Sequence, residues 1–349
     1  MISESNQNNI DLVSLKAWIG RSEFAQDRVD QQRVQQLAAS LDLDHKVFQQ
    51  TGVLPPLWHW IFATPISAMH QAGPDGHTAR GGFLPPVPLP RRMWAGSRLQ
   101  WHEDFTIGDP ISRQSTVRSI ESKSGRSGQL VFVTVKHQWK RGDQLVIDEE
   151  HDIVYRDIPN IESPQPKPAY QATVWPMNLL QATELAASKG SEAVRCTMQA
   201  DEVLLFRYSA LTFNSHKIHY DRRHCIDVEK YPGLIVHGPL MACLMGTLAW
   251  FQAGSKRPAF FAFRALSPVF DGDPVDVIAK PSRSLTKESL LFSQLSNRGH
   301  DPAMQNNKGG LEQAIQITDC AIEKTDGSLA MQAQMAWEKR KIKEGSILS

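Results

Sequence analysis

Apolar residues recur along this chain with two different periods. Gln129–Trp139 (QLVFVTVKHQW) is apolar at roughly every second position, between the turn-like stretches Ser124–Gly128 and Arg141-Gly142-Asp143. Side chains alternate across a strand, so this spacing predicts a half-buried strand. Ala314–Glu323 and Leu329–Trp337 flank Lys324–Ser328, whose Thr-Asp-Gly turn predicts a hairpin. The helical period shows in Asp30–Leu41 (DQQRVQQLAASL), with Val34, Leu37, Ala38 and Leu41 on one face and Asp30 as a candidate cap. A second helix is predicted over Pro239–Ala253, opened by proline after Gly238 and closed at Gly254, the usual order of these two residues. Its apolar residues, Leu240 through Phe251, point in every direction. Such a helix must be enclosed, and a curved antiparallel sheet is the expected wrapping.

The pattern occurs twice. Phe105-Thr106-Ile107-Gly108-Asp109-Pro110 in the first half is echoed by Phe270-Asp271-Gly272-Asp273-Pro274 in the second, each set between strand-like segments. The matching order points to a duplication. Asp157–Pro168 (DIPNIESPQPKP) carries four prolines, which stiffen a chain and exclude it from sheet ladders. We therefore expect an α+β protein of two units, residues 1–156 and 174–349, joined by a linker over 157–173. The polar stretch Pro281–Gly310 reads as a surface excursion.

Composition narrows the function classes. At 349 residues, 41% of them apolar, the chain can fill two cores. Lys and Arg number 38 against 37 Asp and Glu, and no basic stripe stands out, so a general nucleic-acid binder is not expected. A ligand with a few phosphates needs only a local basic patch. Cys196, Cys225, Cys243 and Cys320 lie far apart with no CxxC pairing, which argues against a cysteine metal site or a disulfide framework. Met1–Ile10 is polar, and the longest apolar stretch, Pro239–Phe251, is too short to span a bilayer. The expectation is a reduced, cytoplasmic protein with no membrane partner.

The chemistry concentrates in Phe206–Asp221 (FRYSALTFNSHKIHYD), directly after Val203-Leu204-Leu205-Phe206, which reads as a core strand. So many polar groups beside a core need partners or a ligand. Taken alone, His219 reads most simply as a satisfied core or surface histidine.

The surrounding residues change that reading. The stretch resembles the hydratase loop of the MaoC-like, R-specific enoyl-CoA hydratases, in which a catalytic Asp stands five residues before a catalytic His. The matching positions are Asn214 and His219, with Ser209, Leu211, Thr212 and Ile218 in fitting surroundings. Tyr231-Pro232-Gly233-Leu234-Ile235-Val236-His237-Gly238 leads into the predicted central helix as in that family, and Leu54–Trp58 and Gly82–Pro86 are similar to its related domain without the catalytic pair. The resemblance implies a double hot-dog fold, each half a curved antiparallel sheet around a central helix, with the second half catalytic. It implies a hydro-lyase acting on an acyl-CoA, closest to the two-domain itaconyl-CoA/mesaconyl-CoA hydratases. No separate cofactor or metal is expected, CoA being part of the substrate.

Within that reading His219 is the acid–base residue. Asn214 departs from the pattern, since an amide cannot ionise, yet its carbonyl oxygen can hold a water. Asp221 is a minor candidate, aligned with His219 only if the chain stays extended. The Gly238 amide, at a helix start without a blocking side chain, is expected to polarise the thioester carbonyl, and His237 either lines the pocket or seals it. Arg91 and Arg92 sit in a proline-rich loop and suit a carboxylate or phosphate; holding the halves together is the rival role. Alternatives are a 3-hydroxyacyl-thioester dehydratase (on CoA or acyl carrier protein), a silent thioester-binding protein, or a thioesterase. A double unit is complete as a monomer or pairs again as a homodimer.

Overall fold

A computed structural model describes residues 10–44, 52–125, 128–158, 165–167, 179–188, 192–254, 256–282 and 316–338. Ten strands form one antiparallel sheet: β1 (Ser22–Arg28), β2 (Arg91–Trp101), β3 (Pro110–Gly125), β4 (Gly128–Arg141) and β5 (Gln144–Arg156) from the first half, then β6 (Val194–Gln199), β7 (Arg257–Ala265), β8 (Pro274–Ser282), β9 (Gln316–Lys324) and β10 (Leu329–Glu338) from the second. Their spatial order is β1-β3-β4-β5-β2-β7-β10-β9-β8-β6. The second half repeats the order of the first in reverse, with β6 standing for β1 and β7 for β2, as a pseudo-two-fold duplication requires. The halves join where β2 runs antiparallel to β7, from Gly96 opposite Arg264 to Gln100 opposite Phe260. A Cβ on Gly96 would lie 2.4 Å from the Phe263 carbonyl oxygen, so the backbones approach at a distance only glycine permits.

The twin Gly-Asp-Pro turns are the same structure. Asp109 Oδ2 accepts the Thr106 amide at 2.8 Å, and Asp273 Oδ2 accepts the Phe270 amide at 3.2 Å. Each turn then feeds a strand beginning at the proline, β3 or β8. The alternating stretch around Gln129–Trp139 is β4, and the predicted hairpin is β9–β10. Most of the linker, and nearly all of the Pro281–Gly310 excursion, lie outside the described residues.

The second predicted helix spans Gly238–Gln252, with every residue from Leu240 to Trp250 buried. Strands β7 to β10 wrap it. The first half differs. Its predicted helix exists as Gln31–Ser40, capped by Asp30 at the Arg33 amide, but it packs against helix Glu202–Leu211 instead of filling the sheet. Among the described residues the first half has no long central helix. In the matching chain position stands a four-residue 3-10 turn, Trp58–Ile61. Pro55 and Pro56 before it and Pro65 after it supply no N–H for a longer helix. Large side chains fill the space instead: Trp58 donates to Thr247 Oγ1 of the central helix at 2.9 Å, and Leu57 occupies the hollow over Gly246. Trp60 and Trp139 donate their indole N–H groups to the buried Glu149 carboxylate at 3.1 and 2.9 Å, which satisfies a charge that would otherwise be costly there.

Val203–Phe206, expected as a strand, belongs to helix Glu202–Leu211. Asp201 caps it at the Leu204 amide, 3.0 Å away, and Leu204, Leu205 and Tyr208 are buried while Val203 and Phe206 face outward. The cap and a helical spacing override the apolar run. Among the described residues no helix is long and apolar enough to cross a membrane.

Candidate active site

The loop after helix Glu202–Leu211 is shaped by its own polar groups. Thr212 Oγ1 donates back to Tyr208 O at 2.7 Å, Phe213 takes a left-handed conformation (φ 51°), and the Asn214 amide donates to Ser209 O at 2.8 Å. Asn214 Oδ1 then accepts the His216 amide at 3.0 Å, a local turn that favours Asn or Asp. The next residues form a single 3-10 turn, Lys217–His219.

That turn sets the His219 ring against the segment entering the central helix. Its Nδ1 lies 2.8 Å from Ile235 O. A carbonyl only accepts, so Nδ1 carries the hydrogen and Nε2 keeps its lone pair. Burial pushes the imidazole down to about 3, outweighing the carbonyl bond, and His219 is therefore neutral at physiological pH. Behind it the His237 ring is stacked at 3.6 Å and 18°, held by Nε2 at 2.9 Å from Ser209 Oγ. His237 is fully buried, which favours the sealing role over lining the pocket.

Gly238 is the first residue of the central helix, with His237 as its cap. Amides of a first helical turn have no partner within the helix. A Cβ at Gly238 would meet only Met331 Cε, at 3.9 Å, which leaves room beside this amide. Asn214, His219, His237 and Gly238 are thus brought into one neighbourhood.

The first half closes the other side. The Lys217 amide donates to Asp75 O at 2.9 Å, and Ser215 Oγ donates to Gly76 O at 2.5 Å. His77 follows, its ring 3.9 Å from that of His216, which meets the His219 ring edge-on at 5.6 Å. Asp75 Oδ1 accepts the His77 amide at 3.0 Å, and Oδ2 lies 3.4 Å from His77 Nδ1. Burial would raise the Asp75 carboxyl, but His77, His216 and Arg92 outweigh it and hold the group well below the usual range. Burial and the neighbouring His77 push His216 well below the ordinary imidazole value. Asp75, His77 and His216 have the spacing of a metal-ligand set. The Arg92 cation acts on all three, however, and would oppose a divalent ion.

The two arginines separate. Arg92 belongs to this cluster. Arg91 is buried, with its Nε 3.2 Å from Glu229 Oε2, a further bond to Glu229 O, and its guanidinium over the Tyr231 ring. It ties β2 to the second half, which is the rival role considered for it. Asp221 caps the short helix Arg222–Asp227 at the His224 amide, 2.9 Å away; the chain at Lys217–His219 is coiled, so Asp221 does not align with His219. Asp75, His77 and His216 were not anticipated as a group. The available clue was Gly73-Pro74-Asp75-Gly76-His77, a turn sequence carrying two titratable residues.

Comparison with known proteins places this geometry. The family described as hydroxyacyl-thioester dehydratase type 2 matches residues 57–271. The chain belongs to this family. That membership makes it a hydro-lyase of the hydratase/dehydratase type with a double hot-dog fold. This dehydratase-family chain is 42% identical over 267 residues to a mesaconyl-C(4)-CoA hydratase of Chloroflexus aurantiacus, covering 76% of the chain and 89% of that protein. It is 24% identical over 259 residues to the mitochondrial hydroxyacyl-thioester dehydratase type 2 of Schizosaccharomyces pombe, covering 66% and 79%. Among solved structures, a MaoC-like dehydratase superposes with a TM-score of 0.60 at 15% identity, over 93% of this chain and 100% of that one. A MaoC-like dehydratase from Phytophthora capsici gives 0.57 at 11%, over 95% and 99%. At these identities the two structures speak for the fold.

Proposed function

We propose that this protein adds water to the double bond of a short dicarboxylic enoyl-CoA, itaconyl-CoA or mesaconyl-CoA, to give citramalyl-CoA. The observation that carries the reading is the His219 ring, fixed at Nδ1 by Ile235 O and left with one acid–base atom beside the start of the central helix. Water attacks the β-carbon, its proton passes to Nε2 while negative charge develops on the thioester oxygen, and the protonated ring then gives that proton to the α-carbon. The Gly238 amide, at the positive end of the helix dipole, stabilises that oxygen. Asn214 uses one lone pair of its side-chain oxygen for the His216 amide and has a second for the attacking water.

The relative named a mesaconyl-C(4)-CoA hydratase and the position of Arg92 support this substrate class. A small acyl chain offers little apolar area, so a charged anchor must supply selectivity. With Arg91 committed to Glu229, Arg92 is the candidate anchor for the second carboxylate. Dehydration of a 3-hydroxyacyl thioester, the name borne by the yeast relative, is the same chemistry run backwards and is the second reading.

Incubation with itaconyl-, mesaconyl- and crotonyl-CoA, read by mass spectrometry, tests this directly. The expected result is gain of one water on the dicarboxylic thioesters. His219→Ala is expected to lower turnover by about 100-fold or more, and Arg92→Met to weaken the dicarboxylic substrates selectively. Release of free CoA, or no change on any thioester, would overturn the reading, and equal loss by Arg92→Met on crotonyl-CoA would remove the anchor.

A further inference from the structure

His219 has to accept a proton at Nε2 and then release it to a neighbouring carbon, and both transfers need that atom aimed along a fixed line. The bond from Nδ1 to Ile235 O fixes one edge of the ring, but a single hydrogen bond to a carbonyl tolerates a broad range of ring tilts. A second contact must hold the plane. We infer that His237 is the positioning residue of this active site: its ring, anchored by Ser209, fixes the plane of His219 and supports the charge that His219 carries during the reaction. The inference rests on the hydratase reading above.

The two rings lie face to face, 3.6 Å apart at 18°, which is van der Waals contact and leaves His219 little room to tilt. His237 is itself held at both ends. Its carbonyl accepts the Met241 amide at 3.1 Å in the first turn of the central helix, and its Nε2 lies 2.9 Å from Ser209 Oγ. Tyr208 meets the ring edge-on at 5.0 Å. Ser209 O in turn accepts the Asn214 amide at 2.8 Å, so one serine ties the ring behind His219 to the residue proposed to hold the water. An apolar side chain would make a better seal. His237 Nδ1 is buried with no hydrogen-bond partner among the described residues, and a group left in that state costs stability. The ring is also suited to face a cation. Its titratable neighbours are His219, His216 and Tyr208, none of them an anion, and burial holds it well below the ordinary imidazole value. It therefore stays neutral while His219 is charged, and the π-face of a neutral aromatic ring attracts a cation most strongly away from water.

As the C–O bond forms at the β-carbon, the water's proton moves to His219 Nε2 and the electron pair of the double bond moves onto the α-carbon and thioester oxygen. The imidazolium lasts only until its Nε2–H bond breaks and the same proton forms the new C–H bond at the α-carbon. Through both steps Nδ1 keeps its hydrogen on Ile235 O, and the flat contact with His237 keeps the ring from turning. His237 exchanges no proton. It acts through His219 alone, so its loss should slow turnover and leave thioester binding unchanged.

The experiment is steady-state hydration by wild type, His237→Leu, His237→Phe and Ser209→Ala, on whichever enoyl-CoA the wild type accepts. Leucine and phenylalanine both fill the space and both lose the Ser209 bond, but only phenylalanine offers a flat π-face. His237→Leu is expected to lose about 100-fold in kcat with KM unchanged, the scale for misplaced reacting groups. His237→Phe should recover about 10-fold or more of that loss, the worth of a desolvated cation–π contact. Ser209→Ala, which keeps the ring and removes its anchor, should lower kcat by about 10-fold at unchanged KM, the worth of one side-chain hydrogen bond. Thermal melts identify any variant that fails to fold, and Ser209→Ala decides the question if His237→Leu is among them. Equal kcat in the phenylalanine and leucine variants, whether high or low, would overturn the inference and leave the hydratase reading standing. So would wild-type kcat in Ser209→Ala, or losses carried by KM in place of kcat. A wild type inert on every enoyl-CoA would overturn both.

Discussion

Replacing Gly76 by alanine probes the contact between the halves with a single methyl group. Gly76 has φ 87°, and an added Cβ would stand 2.0 Å from Ser215 O and 3.0 Å from Ser215 C, both backbone atoms. An unstrained carbon–oxygen contact is about 3.3 Å, so one loop must retreat by roughly 1.3 Å. The backbone also resists: a left-handed conformation costs a residue with a Cβ about 1–2 kcal/mol. Ser215 lies between Asn214 and His216, and its displacement carries the hydratase loop with it. Misplacement of reacting groups by about 1 Å costs on the order of 100-fold in rate, so kcat should fall by that amount while the fold survives. Gly20→Ala is the matched control. Gly20 has the same φ of 87° with nothing within 4 Å of an added Cβ, so it bears the backbone cost without the collision. Both variants are to be compared by kcat and by urea unfolding. Equal kcat in Gly76→Ala and Gly20→Ala would refute the claim that the two loops are in register-critical contact.

Two further outcomes follow from burial and from the helix start. His59, His77, His137, His151, His216, His219 and His237 are all pushed below the ordinary imidazole value, chiefly by burial. Below about pH 6.5 the unfolded chain binds protons that the folded chain refuses, so stability is full above that pH and falls as pH drops, by roughly 1 kcal/mol between pH 7 and 5.5 for each of His137, His151 and His219, which are pushed down to about 3, 4 and 3. Urea melts across that range should show the decline, and a flat profile would contradict the buried, neutral state of these rings. Gly238→Val should lower turnover by about 100-fold, the cost of one displaced oxyanion donor, whereas Gly238→Ala, with only Met331 Cε at 3.9 Å, should remain close to wild type in stability. A bound thioester analogue with its carbonyl oxygen far from this amide would rule out the assignment.

The sequence announced its periodic elements and concealed what depends on tertiary fit. The β4 alternation, the β9–β10 hairpin and the all-round apolar helix Gly238–Gln252 were legible because each is encoded by spacing within a dozen residues. The twin Gly-Asp-Pro turns revealed the duplication for the same reason. Helix Glu202–Leu211 was hidden because its Val203–Phe206 run is apolar on both faces, so period alone does not distinguish strand from helix; the Asp201 cap was the missing clue. The short turn at Trp58–Ile61 was equally hidden, since nothing local says that tryptophans will fill a helix's place. At the candidate site, the grouping of His219 with the helix start at Gly238 was legible from one contiguous stretch. Asp75 and His77 lie some 140 residues earlier, and only the pairing of the two halves brings them to His216. Arg91 and Arg92 were indistinguishable as neighbours in sequence, and are told apart by which side of β2 each faces.

The join between β2 and β7 is made of main-chain hydrogen bonds, and such bonds are indifferent to side chains. Apart from the glycine at position 96, its register demands little of the residues that form it. Mutation can therefore rewrite the faces of β2 and β7 without changing the register between them, as fits superpositions that persist at 11–15% identity. A duplicated gene so joined keeps a fixed frame while its copies take up different work. One copy keeps its central helix and the hydratase loop. The other, relieved of the helix, is free to extend a loop across the boundary and bring new side chains to its sibling's pocket.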